Sequence, residues 1–187
     1  MKVAVVQMNS GEDKAHNLAT AERLLVEAAE RGAELAVLPE LFTYLGRRRL
    51  HREVADAVPG QTSELLARIA RERGMPIIGG SFLETAPGHE RLFNTCLAVD
   101  ADGSIVARYR KLHLFDDEKL WFAPGDRAPR VSRVGPARVG MLVCFDWRFP
   151  EIWRVLALAG ADLIAHPSNL VVPRAAQMAT PVRALEN

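Results

Sequence analysis

The chain has 187 residues, 49% of them hydrophobic and 25% charged, and its 24 basic and 23 acidic side chains leave a formal net charge of +1. That length and apolar content suit one soluble globular domain with a sizeable core. So even a balance gives no electrostatic reason for a nucleic-acid or anionic membrane partner, and the short run Arg47-Arg48-Arg49 reads as a solvated loop.

Val3-Ala4-Val5-Val6-Gln7-Met8 reads as a buried strand. It is too short and lacks the cleavage pattern for a signal peptide, and no later stretch approaches the length that crosses a bilayer. Between Asn17 and Arg31, Leu18, Ala21, Leu24, Leu25, Ala28 and Ala29 recur at helical spacing, and Gly32 suits the C′ position. Leu35-Ala36-Val37-Leu38 predicts a second buried strand, ending at Pro39-Glu40. A second helix is expected over 63–73, with Thr62 as N-cap and Gly74 as stop.

Strands are expected at Pro76–Phe82 and Phe93–Val99, and Asp100-Ala101-Asp102-Gly103 predicts a hairpin turn into Ile105–Arg110. A further strand, Ala137–Val143, delivers Cys144 to a turn ahead of a helix opened by Pro150 and closed by Gly160. Asp162–Ala165 reads as the next strand. A β-α-β start, a central hairpin and a return to β-α-β imply a mixed sheet covered by helices, an α/β class. In such sheets functional groups collect where strands end, and Glu40, Lys111 and Cys144 each lie just past a predicted strand.

Each of the three has a chemical reading and a plainer one. A strand-to-turn-to-helix corner exposes the Cys144 thiol and leaves backbone N–H groups free for an oxyanion, whereas a buried structural cysteine is the commoner case. Cys96, inside Asn94-Thr95-Cys96-Leu97-Ala98, fits that commoner case. Because a free thiol with a pKa of roughly 8.5 is mostly protonated at neutral pH, catalysis needs a neighbouring base or positive charge. Glu40, wrapped by Leu38, Pro39, Leu41 and Phe42, suits proton transfer, since desolvation raises a carboxyl's proton affinity; it also reads as a surface loop acid.

Lys111 suits stabilisation of a thiolate or an oxyanion, or a solvated basic strand edge. An extended chain would place Lys111 and His113 on one face, and His113 raises a rival Cys–His pair that has no second sign in its favour. Glu118 is either a surface acid or a partner that orients Lys111 and a substrate amide. The chain has no GxGxxG, P-loop, GxSxG, HExxH or CxxC, and its two distant cysteines form no metal-type pair; a reducing cytoplasm is the expected setting.

These segments resemble the nitrilase superfamily of carbon–nitrogen hydrolases. The likeness rests on residues 3–8, Leu38-Pro39-Glu40, residues 109–115, Pro124-Gly125-Asp126, residues 144–151, residues 160–164 and Arg183-Ala184-Leu185-Glu186-Asn187, all in register. Cys144-Phe145-Asp146-Trp147 and His166-Pro167-Ser168-Asn169-Leu170 are similar to small archaeal-type nitrilases acting on aliphatic nitriles.

The resemblance implies a four-layer α-β-β-α sandwich and a Glu–Lys–Cys triad on Glu40, Lys111 and Cys144, with Glu118 as second glutamate. It implies hydrolysis of a small nitrile or amide through a cysteine thioester, with no metal or organic cofactor, in a homodimer or higher homo-oligomer. Phe145 is an expected substrate contact through its backbone N–H, which with Lys111 would hold the developing anion; Tyr44, Trp147, Asn169 and Leu170 read equally as expected substrate contacts and as ordinary packing. The family domain runs on past Arg-Ala-Leu-Glu-Asn, so residues 1–187 are expected to be a domain short of its C-terminal strands. Two other functions remain open at this point: acyl transfer from the same thioester to an amine, and an inactive assembly or binding module.

Overall fold

A computed structural model describes residues 1–187. In chain order it holds β1 (Val3–Val5), α1 (Lys14–Glu30), β2 (Leu35–Val37), a 3-10 turn at Arg48–Leu50 running into α2 (His51–Val54), and α3 (Gln61–Arg73). Next come β3 (Ile77–Ile78), β4 (Phe82–Glu84), β5 (Phe93–Val99), β6 (Ile105–Arg110) and α4 (Glu118–Trp121). The chain then forms β7 (Val131–Val134), β8 (Ala137–Met141), a 3-10 turn at Cys144–Arg148, α5 (Pro150–Leu158), β9 (Leu163–Ala165) and α6 (Pro173–Glu186).

Two mixed sheets result. In the larger, β1, β2 and β3 run parallel, β5 pairs antiparallel with both β3 and β4 along one side, and β6 pairs with its other side. The smaller has the order β7-β8-β9, with β8 and β9 parallel. Side chains alternate across each strand, so the larger sheet feeds two cores. Ala36, Ile77, Leu97 and Val99 pack under Leu18, Ala21 and Leu25 of α1 and Leu66, Ile69 and Ala70 of α3. Leu35, Ile78, Cys96, Ala98 and Tyr109 face Val139 and Met141 of β8, backed by Trp153 and Leu156 of α5 and Ala176 of α6. Helices, sheet, sheet, helices: four layers. No helix is long and apolar enough to cross a membrane.

Several expected boundaries shift for local reasons. β1 covers only Val3–Val5 and forms a sheet edge, leaving Val5 82% exposed where a buried strand was expected. The second helix starts at Gln61 with Gly60 as N-cap rather than Thr62, because the Ser63 hydroxyl accepts from the Gly60 N–H at 2.9 Å while Thr62 donates to Asp56. The expected strand Pro76–Phe82 is broken between Ile78 and Phe82. Gly80 has φ +52°, and a Cβ there would lie 2.1 Å from the Pro39 carbonyl oxygen.

That break serves the turn opposite. Ser81 donates its N–H to Pro39 O at 3.2 Å, its hydroxyl accepts from Leu41 N–H at 3.0 Å, and its carbonyl accepts from Phe42 N–H at 3.1 Å. Those bonds hold Leu41 at φ 52°, outside the usual range for a non-glycine residue, and so fix where Glu40 emerges from β2.

Candidate active site

The glutamate, lysine and cysteine that the sequence places at three strand ends meet in one buried cluster. Lys111 Nζ lies 2.9 Å from Glu40 Oε1 and 2.9 Å from Glu118 Oε2. Lys111 follows the last residue of β6, donates its N–H to Asn94 O at 2.9 Å and accepts from Gly125 N–H at 2.9 Å. At Gly125 a Cβ would sit 2.2 Å from Arg110 O, so Pro124-Gly125-Asp126 packs against the backbone that carries the lysine. Glu118, at the start of α4, accepts from Phe115 N–H at 2.7 Å as well as from Lys111, which makes it part of the cluster rather than a free surface acid.

Glu40 is held from three sides. Its Oε1 accepts from Lys111 and from Asn94 Nδ2 at 2.9 Å, and its Oε2 accepts from Asn169 N–H at 2.8 Å. The carbonyl of the same Asn169 lies 3.7 Å from Cys144 Sγ, so one residue borders both the carboxylate and the sulfur. Asn169 thus contributes main-chain atoms. Lys111 is buried, which opposes its charge, yet Glu40, Cys144 and Glu118 together raise its pKa and keep it an ammonium. Burial raises the Glu118 pKa, Lys111 lowers it and Glu40 raises it again, with a net upward shift.

Cys144 occupies a corner. Its φ is 44°, and its N–H donates to Pro167 O at 2.9 Å. Burial pushes the thiol's pKa up, Glu40 pushes it further, and Lys111 only partly opposes them. Proximity to an ammonium therefore does not offset burial and the neighbouring carboxylate. The raised pKa keeps the protonated form stable as pH climbs past the ordinary thiol range near 8.5. A titration followed by thiolate ultraviolet absorbance is expected to show no ionised thiol at neutral pH. A full-amplitude thiolate signal there would contradict this electrostatic picture.

Beneath the corner sits Asp146, fully buried. It accepts from Tyr109 OH at 2.7 Å, Val143 N–H at 2.9 Å, His113 N–H at 3.2 Å and His113 Nδ1 at 2.8 Å. His113 also stacks on Phe149 at 3.7 Å. The chain leaves the strand at Arg110, so Lys111 and His113 do not share one sheet face: the lysine meets Glu40 and the histidine meets Asp146. Asp146→Ala removes the acceptor of several buried donors. It is expected to lower stability by about 3 kcal/mol or more in a urea melt, with Asp146→Asn recovering part of the loss.

The expected substrate contacts scatter. Tyr44 is buried against Leu83, Leu92, Leu114 and Phe122, with its hydroxyl donating to Arg47 O at 3.2 Å. Trp147 is buried in the core between the sheets, and its carbonyl accepts from Arg183 Nε at 3.3 Å. Phe145 stays partly exposed, edge-on to Phe115 at 5.0 Å, and its N–H makes no hydrogen bond within the protein. A cavity of about 570 Å³ lies between β1 and β9 and is lined in part by Glu40, His166 and Asn169. Cys96 is a buried free thiol in β5. Sequence reasoning missed Asn94, Asp146 as an anchor, and His166. Only Asn94 left a visible mark: with Thr95 it makes a polar pair inside an otherwise apolar strand.

A four-layer sandwich with a thiol, a carboxylate and an ammonium clustered at its strand ends defines a class, and this chain belongs to the carbon–nitrogen hydrolase family, whose sequence pattern matches residues 2–187. Among individual proteins it is 45% identical over 195 residues to a nitrilase from Pyrococcus abyssi, covering 100% of this chain and 71% of that protein. It is 34% identical over 198 residues to the omega-amidase NIT2-A of Xenopus laevis, again covering 100% of this chain and 71% of the other. A solved mutant of the amidase from Nesterenkonia sp. AN1, with acrylamide added at its active-site cysteine, superposes with a TM-score of 0.87 at 30% identity. That superposition covers 100% of this chain and 75% of the other.

Proposed function

We propose that the chain hydrolyses a small nitrile or primary amide through a covalent intermediate on Cys144, releasing ammonia. The observation that carries this reading is the shared anchoring of Glu40: one carboxylate oxygen on the Lys111 ammonium, the other on the N–H of Asn169, whose carbonyl borders the sulfur. The acrylamide on the cysteine of the Nesterenkonia amidase supports a nucleophilic role for Cys144.

Glu40 takes the thiol proton as Cys144 Sγ bonds to the nitrile or amide carbon. Negative charge develops on the former nitrile nitrogen or amide oxygen, and the Lys111 ammonium and the Phe145 N–H stabilise it. For an amide, Glu40 passes its proton to the departing nitrogen, ammonia leaves and a thioester remains. A nitrile first takes up one water to reach the same tetrahedral stage. Glu40 then accepts a proton from the water that attacks the thioester, the first water for an amide and the second for a nitrile, and returns it to the departing sulfur, giving the carboxylic acid and the free thiol. Glu118 holds Lys111 in place through its 2.9 Å contact.

The same reading includes a homo-oligomer, its contact on α5 and α6, where Val155, Leu158, Met178 and Leu185 are exposed. An ammonia-release screen over short aliphatic nitriles and amides tests the activity, with added hydroxylamine separating hydrolysis from acyl transfer. A folded chain that neither releases ammonia nor acquires an acyl adduct sinks the proposal and favours a binding module.

A further inference from the structure

The corner that carries Cys144 is clamped through its backbone from a neighbouring strand. β8 and β9 run parallel, with Met141 opposite Ala165, so residues 166 and 167 lie alongside the nucleophile turn. Pro167 O takes the Cys144 N–H at 2.9 Å, and His166 Nε2 lies 2.8 Å from Cys144 O. A carbonyl oxygen only accepts, so Nε2 carries the proton. Burial holds the His166 pKa down, and the ring packs edge-on against Trp153 at 5.1 Å.

The peptide joining Cys144 to Phe145 is planar and trans, so its C=O and N–H point in opposite directions. Whatever fixes the Cys144 carbonyl therefore also aims the Phe145 N–H, the unpaired donor of the corner. We infer that His166 is a positioning residue, whose Nε2–H grips the Cys144 carbonyl and thereby holds the Phe145 N–H on the developing anion. The inference rests on the proposed thioester chemistry. The His166 hydrogen bond goes to the main chain of Cys144 and not to its sulfur.

Two variants separate this role from packing. His166→Phe keeps a ring against Trp153 and loses the donor; His166→Gln keeps a donor at nearly the Nε2 position. Steady-state ammonia release from propionamide and propionitrile is measured beside the rate of Cys144 alkylation by iodoacetamide, a displacement at saturated carbon that develops no oxyanion on the Phe145 N–H. The expected result for His166→Phe is a kcat lower by about 10- to 100-fold with little change in KM. Its alkylation rate stays within about twofold of the parent chain, because the sulfur and its base are untouched. His166→Gln recovers most of kcat.

Equal kcat in the parent and the Phe variant overturns the inference, as does a Gln variant no faster than the Phe variant. Should the Phe variant fail to fold, His166→Asn takes its place: its amide reaches only the Nδ1 position, so it must lose kcat while Gln does not. A parent chain that is alkylated but releases no ammonia overturns the thioester chemistry first, and this inference with it.

Discussion

Cys144→Ala is expected to reduce ammonia release by at least about 10⁴-fold while leaving the fold intact. The size follows from the chemistry: without the sulfur no covalent intermediate forms, and loss of a nucleophile alone costs nearly as much as loss of the whole set it works with. Stability is expected to change little. The corner keeps its backbone clamp on Pro167 O and His166 Nε2, and alanine at φ 44° bears the same backbone cost as cysteine. Thermal melts and ammonia assays on the two chains provide the check. Residual activity above about a tenth of the parent would remove Cys144 from the mechanism, and a collapse of the melting temperature would make the loss of activity uninformative. Cys96 is the internal control: buried in β5, its thiol pushed up by burial alone, its replacement by serine is expected to leave kcat nearly unchanged.

Much of the scaffold was legible because its signals are local. Phe93–Val99 and Ile105–Arg110 match the expected strands, since an apolar run and a DxDG-type turn leave few alternatives. Gly32, Gly74 and Gly160 stop helices where expected, each at positive φ. The break between β3 and β4 falls on Gly79-Gly80-Ser81, through which the expected strand ran, and its purpose, bracing the Leu41 turn, is a contact distant in sequence. α6 escaped notice because Pro181 interrupts its helical pattern and few of its residues are buried. In the site, a strand end marks where a side chain emerges, which brought Glu40, Lys111 and Cys144 forward. His166 bonds the backbone of the corner, and Asp146 reaches Tyr109 and His113 besides the nearby Val143 N–H; no spacing rule reports such bonds between residues distant in sequence. His113, weighed as a rival partner for the cysteine, instead completes the Asp146 anchor.

Lys111→Met is expected to damage activity and stability together, and the way the stability loss depends on pH identifies the cause. The ammonium is 1% exposed and lies between Glu40 and Glu118. An apolar side chain of similar length fills the space but leaves two carboxylates facing each other in a buried site. Breaking such a cluster costs about 3–5 kcal/mol, roughly 6–20 °C in melting temperature for a chain of this size. Two neighbouring carboxylates with no cation raise each other's pKa above the ordinary 4.5 of a glutamate, so folding favours their protonated form. A raised carboxyl pKa means stability present at low pH and lost as pH climbs through the folded-state value. The melting-temperature gap between parent and variant should therefore shrink from pH 7 to pH 5. A packing defect would leave the gap unchanged. Adding Glu118→Gln to the variant removes one of the two charges and is expected to recover stability at pH 7. It cannot recover ammonia release, which should stay about 10³-fold down, because nothing then supplies the positive charge opposite the developing anion.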